Sequence, residues 1–91
     1  MTGLLSLKFA QIYKALAHPM RLEILSALLN RTLNVNDLCR QLNKRQSNVS
    51  QHLQVLRKNN LVSSKKVGKK RIYKLDTRNS GLISYLNKYK V

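Results

Sequence analysis

The chain has 91 residues, enough for one small domain spanning 1–91 and too few for a second. Apolar residues make up 43%, so the core is modest, and a core this thin often gains stability from a partner subunit. Eighteen Lys and Arg against three acids give a formal net charge of +15, which repels like molecules and attracts polyanions: duplex DNA, RNA or anionic membrane.

Leu5, Phe9, Ile12 and Leu16 recur at helical spacing and form one stripe, so a first helix is expected over about 4–17. It carries Lys8 and Lys14, has no basic segment before its first leucines, and does not read as a signal peptide. Pro19 stops this helix and opens the next, where its missing N–H costs nothing. In the second helix Leu22, Leu25, Leu28 and Leu29 are expected to face inward, with Glu23 near the start and Asn30 at the exit.

The run NVND, Asn34 to Asp37, reads as a variant capping box. A short helix follows with Val35, Leu38, Cys39 and Leu42 apolar, and Asn43 is suited to end it in the left-handed conformation. After Lys44 and Arg45 comes QSNVSQHLQVLRKNNLV, a fourth helix. Two short helices joined by a few residues make a helix-turn-helix candidate. The period then changes. LVSSKKVGKKRIYKL has a hairpin tip at Val67-Gly68 and β-branched and aromatic residues on its return. A last helix is expected over about 77–90, with Leu82, Ile83, Leu86 and Tyr89 apolar. The order is helix, helix, helix, helix, strand, strand, helix. This is the layout of a winged helix-turn-helix, mainly α with a small β-hairpin.

The fourth helix divides by chemistry. At roughly 100° per residue, Val49, Leu53 and Leu56 form one narrow stripe. Gln46, Ser47, Ser50, Gln51, Gln54, Arg57 and Lys58 share a separate arc that holds no apolar side chain. His52 falls outside that arc, near the edge of the apolar stripe. Gln has the donor and acceptor pair that matches an adenine edge, Ser contacts base or phosphate, and Arg57 and Lys58 suit phosphates. Half of all the basic residues lie between Arg57 and Arg78, opposed there only by Asp76. Lys65, Lys66, Lys69, Lys70 and Arg71 crowd the hairpin tip, where they repel one another unless an anion is near. Such an arm suits the DNA backbone or the minor groove.

These residues resemble the ArsR/SmtB family of winged-helix regulators. The resemblance runs from Leu16 to Leu75 through ALAHPMRLEILSALL, LNVNDLCRQLN, QSNVSQHLQVLRKNNLV and KVGKKRIYKL. It implies a homodimer built from the first and last helices, with Leu5, Phe9, Ile12, Leu82, Ile83 and Leu86 as candidate contacts. It also implies binding to an inverted repeat, usually to repress. Gln46, Ser47, Ser50 and Gln51 would approach bases, with His52 a further candidate, and the lysines at the hairpin tip would hold phosphates.

Two departures bear on regulation. Many members sense metals through a CxC in the third helix, and here Asn34 and Asn36 occupy those positions. Asn cannot replace a thiolate. Others use acids and histidines in the last helix, whereas Thr77 to Val91 contains no His, Asp, Glu or Cys. No metal or other cofactor is therefore expected. Cys39 lies on an apolar stripe and reads as an inert thiol. A third departure is Arg45, which stands where the family often has a capping Ser. A cation there opposes the helix dipole. Its cost is offset if a DNA phosphate sits at the same helix end, so Lys44 and Arg45 are expected to contact the backbone.

Enzymatic function is not expected. Glu23, Asp37 and Asp76 lie in separate elements, and there is no glycine-rich phosphate loop or cluster of metal ligands. No apolar run approaches the ~18 residues of a membrane span, which points to the cytoplasm. The rival to a sequence-reading regulator is a nonspecific architectural DNA binder, since phosphate contacts supply most nonspecific affinity. The Gln/Ser arc separates the two, because a phosphate binder has no use for it.

Overall fold

The computed structural model describes the backbone of residues 4–78 with Gly81, Ser84 and Lys88, and side chains from Ala10 onward. The elements are α1 (Leu4–Leu16), α2 (Pro19–Ala27), β1 (Leu33–Asn34), α3 (Val35–Leu42), α4 (Gln46–Lys58), β2 (Val62–Val67) and β3 (Lys70–Leu75). This is a winged helix-turn-helix: α3 and α4 are joined by residues 43–45, and β2 and β3 form the wing. Thr77 and Arg78 form a turn, and Gly81, Ser84 and Lys88 have helical backbone. Leu82, Ile83, Leu86 and Tyr89 lie outside the described residues, as do the side chains of Leu5 and Phe9.

Local chemistry sets the helix ends. Pro19 occupies the first turn of α2, and His18 caps it by accepting the Met20 N–H at Nδ1, 3.3 Å away. Asn34 caps α3 through Oδ1, which accepts the Asp37 N–H at 2.8 Å. The Asp37 carboxylate turns to Arg40 instead of completing a capping box. Asn30, Asn43 and Asn60 all have positive φ, at 64°, 55° and 60°. Short polar Asn tolerates that region better than other residues with a Cβ. At Asn43 the Lys44 N–H reaches the Cys39 carbonyl, and at Asn60 the Leu61 N–H reaches the Leu56 carbonyl at 2.9 Å. Both are Schellman closures, and at α4 the accompanying apolar pair, Leu56 and Leu61, is fully buried.

The core joins Ile24 and Leu25 of α2, Leu28 at its C-cap, Leu38 of α3, and Val49, Leu53 and Leu56 of α4 to Leu61, Val62 and Leu75. Two expectations for α2 change. Leu22 is 37% exposed, whereas Ile24, absent from the expected stripe, is at 0%. Glu23 lies beyond the first turn and does not serve the helix start.

The sheet has three strands rather than two, in the order β1-β3-β2, all antiparallel. The added strand is two residues long, with Leu33 opposite Tyr73 and Asn34 opposite Ile72. Beyond β3, the Asp76 N–H bonds the Leu61 carbonyl at 3.1 Å, tying the end of the wing to the end of α4.

Asp76 is only 5% exposed. Its carboxylate accepts the Arg78 Nε–H at 3.0 Å, the Nη2–H at 2.7 Å and the Arg78 backbone N–H at 3.0 Å. The side-chain bonds first, then the backbone bond, lower its pKa from 3.8 to about 2. A carboxyl more acidic in the folded state stabilises the fold above its unfolded pKa and ceases to as the pH falls through the folded one. Asp76→Asn should therefore melt lower than the parent at pH 7, and the gap should close between about pH 4 and 2. Melting curves across that range test this; a gap that stays constant would assign the loss to packing rather than charge.

Candidate nucleic-acid interface

Burial of Val49, Leu53 and Leu56 fixes the rotation of α4. Gln46, Ser47, Gln51, Gln54, Arg57 and Lys58 are consequently exposed and Ser50 is half-buried. The structure thus brings the expected arc together on one open face. Asn48, also exposed, lies beside it. Arg45 is the N-cap residue, with φ −71° and ψ 148°, and no side chain caps the helix there. The first-turn N–H groups of α4 are left facing outward, which is favourable ground for an anion. Lys44 and Arg45 are both exposed beside them.

His52 is placed differently. Its Nδ1 accepts the Arg21 Nε–H at 3.2 Å, and its ring lies 4.3 Å from that of His18, tilted by 54°. The two histidines, distant in sequence, thus meet where α2 crosses α4. Both use Nδ1 as an acceptor, so each neutral ring carries its proton on Nε2. Burial first, and the charges of His18 and Arg21 next, lower the His52 pKa. Neutral His52 is the form that accepts from Arg21, so its ring is held in place by α2. The HPMR run held the clue to Arg21, but its partner 31 positions away did not show in any periodicity.

In the wing, Gly68 has φ +64° and occupies the first of the two tip residues. Positive φ at that position alone is the pattern of a type II′ turn, which suits Gly. Lys65, Lys66, Lys69, Lys70 and Arg71 are all exposed. Lys66 lies directly opposite Arg71, a like-charge cross-strand pair that costs stability. Arg71 is steadied by donating from Nη1 to Ser64 Oγ at 3.1 Å. Among the described residues no carboxylate is ion-paired with these charges: Asp37 pairs with Arg40 and Asp76 with Arg78. Arg78, counted at first among the basic run, is committed to structure.

An open groove of about 480 Å³ connects the parts. Arg40 of α3, Gln46 of α4 and Lys70 of the wing all line it, with Asn34 and Asn36. Arg40 is a cation that sequence reasoning passed over, because it followed the apolar stripe of α3 rather than the polar side. Cys39 is half-buried against the core. Among the described residues there is no group of three His, Cys, Asp or Glu placed to hold a metal ion, and no helix long and apolar enough to cross a membrane.

Comparison with known proteins agrees with this architecture. The family model described as bacterial regulatory protein, arsR family, matches residues 18–64. The transcriptional activator HlyU of Vibrio cholerae is 39% identical over 72 residues, 79% of this chain and 67% of that protein. A solved HlyU structure superposes with a TM-score of 0.85 at 35% identity, covering 96% of each chain. A transcriptional repressor SmtB homolog from Synechocystis is 38% identical over 75% of this chain, which spans only 52% of that protein's length. A homodimeric winged helix-turn-helix DNA-binding domain from Mycobacterium bovis, a possible ArsR-family regulator, gives a TM-score of 0.79 at 25% identity, covering 88% of this chain and 75% of that one. The exposed polar face of α4, the basic wing and these matches over most of the chain lead to one conclusion: the chain belongs to the arsR family of bacterial regulatory proteins, DNA-binding transcriptional regulators and not enzymes.

Proposed function

We propose that the protein is a cytoplasmic homodimer that reads an inverted repeat in duplex DNA and acts as a repressor. The observation that carries the reading is the face of α4. The side chains of Gln46, Ser47, Ser50, Gln51 and Gln54 make no hydrogen bond among the described residues, although each has donors and acceptors to satisfy. A surface that only neutralised phosphates would not need them. Dimerisation through the terminal helices would set two copies of α4 roughly 34 Å apart, one turn of DNA. Such a dimer covers its site, and repression follows from occupancy. The relatives include both a transcriptional activator and a transcriptional repressor homolog, so the sign of regulation has to be measured at a promoter.

The residue roles follow from placement. Gln46, Ser47, Ser50, Gln51 and Gln54 meet base edges. His52, held by Arg21, offers Nε2–H at the margin. Lys44, Arg45, Arg57 and Lys58 hold phosphates, and Lys65, Lys66, Lys69, Lys70 and Arg71 of the wing hold the backbone or minor groove. Arg40, on the groove shared with Gln46 and Lys70, gives one N–H to Asp37 and joins the phosphate set through those left over. No metal is expected to take part, because Asn34 and Asn36 offer no thiolate.

Selection of bound duplexes from a random pool at about 0.15 M salt should enrich an inverted repeat, with or without a chelator. Tight binding with no enriched motif would leave the architectural reading in its place. Arg45→Ser restores a capping hydroxyl, worth about 1 kcal/mol. That variant should melt higher yet bind DNA more weakly, with a salt slope lower by about one. Unchanged affinity and slope would remove Arg45 from the phosphate contacts. Leu86→Glu should sediment as monomers that bind poorly, and intact dimers in the ultracentrifuge would remove Leu86 from the interface.

A further inference from the structure

Beside the C-terminal end of the polar face of α4, with Lys58 shared between the two, a cleft of about 390 Å³ opens between α1, α2 and the last turns of α4. Lys14, Ala15, Arg21, Val55, Lys58 and Asn59 line it. Its size lies at the lower end of the roughly 300–1,000 Å³ of small-molecule sites. Buried Ala15 and half-buried Val55 supply an apolar floor. Lys14, Arg21 and Lys58 supply three positive charges around it.

These charges lack carboxylate partners among the described residues. Asp37 and Asp76 are bonded to Arg40 and Arg78, and Glu23 is not on the cleft. Arg21 is the fixed member. Its Nε donates to His52 Nδ1 at 3.2 Å and its Nη1 to the Ala15 carbonyl at 3.4 Å. Of its five N–H donors, three are left without a protein partner among the described residues. A half-buried guanidinium that meets only neutral acceptors is a poor arrangement for a cation and a prepared one for a bidentate anion. Lys14 and Lys58 then add charge from two further helices, and their mutual repulsion falls when an anion sits between them.

We infer that this cleft binds a small organic oxyanion: a carboxylate or phosphate group on the Arg21 fork, flanked by Lys14 and Lys58, with a short apolar portion against Ala15 and Val55. Binding would be felt on the DNA side. Arg21 is the donor to His52 in the middle of α4, so an anion that draws on the guanidinium changes the hydrogen bond behind the recognition helix. That consequence rests on the DNA-reading function proposed above. The binding itself does not, and it is tested without DNA.

The test is an NMR titration of the isotope-labelled full chain with inorganic phosphate and, separately, with butyrate, at ionic strength held constant with chloride. Saturable shifts are expected at the Arg21 Nε–H and at the Ala15, Val55 and Asn59 amides, with Gly68 at the wing tip unmoved. Butyrate should bind more tightly than phosphate if the apolar floor is used, and the reverse order would assign the site to phosphate groups. Lys14→Gln, an exposed substitution, should weaken binding about threefold or more, and Arg21→Lys should abolish saturation while the remaining spectrum shows an intact fold. Linear, unsaturating shifts, or shifts at Gly68 as large as those in the cleft, would overturn the proposal. Cleft resonances that respond to a short duplex and to neither probe would overturn it too, assigning the cleft to a DNA phosphate. Loss of sequence enrichment in the duplex selection would leave the titration result standing.

Discussion

Everything outward-facing on this molecule depends on how α4 is seated. Three side chains, Val49, Leu53 and Leu56, pin one edge of that helix into the core shared by α2, α3 and the base of the wing. A helix has one face per rotation, so burying this stripe commits Gln46, Ser47, Gln51 and Gln54 to solvent. The Schellman closures at Asn43 and Asn60 then fix where the chain arrives at α4 and where it leaves. The second closure buries Leu56 against Leu61 and launches β2 directly from the core. The position of the wing is thus inherited from the end of the recognition helix.

Charge is distributed by the same economy. Of the three acids, Asp37 and Asp76 are held by Arg40 and Arg78, each close in sequence. The wing and the recognition face retain unrelieved positive charge, including a like pair, Lys66 and Arg71, set directly opposite each other. Such a pair is a standing cost to the hairpin. Together with the uncapped start of α4 at Arg45, it marks the places where local stability has been given up. The uncapped start adjoins the exposed Gln and Ser side chains, and Lys70 of the wing shares a groove with Gln46, as is expected where a polyanion binds.

Much of this was legible in the residues. The fourth helix could be placed from its stripe, the caps at Asn34 and Asn43 from residue type, and the wing tip from a single Gly among lysines, because each signal is local. What escaped was nonlocal. β1 is two residues long, and only its pairing with Tyr73 and Ile72 makes it a strand. Ile24 replaced Leu22 in the core because the short α2 rotates to meet α3 and α4, which periodicity over nine residues cannot resolve. Arg21, His18 and His52 belong to three different runs of sequence, and only the crossing of α2 over α4 brings them together. Likewise no local pattern singled out Arg40, which shares a groove with Lys70 only because the wing folds beside α3.

The short strand Leu33–Asn34 has a mechanical meaning. It hydrogen-bonds the return strand of the wing to the residue that caps α3, while Asp76 fastens the far end of that strand to Leu61. The wing is therefore tied to the helix-turn-helix at its base and at mid-strand, and its tip, Val67 to Lys70, projects past both ties. The lysines at the tip accordingly ride on a short lever rather than on the whole length of the hairpin.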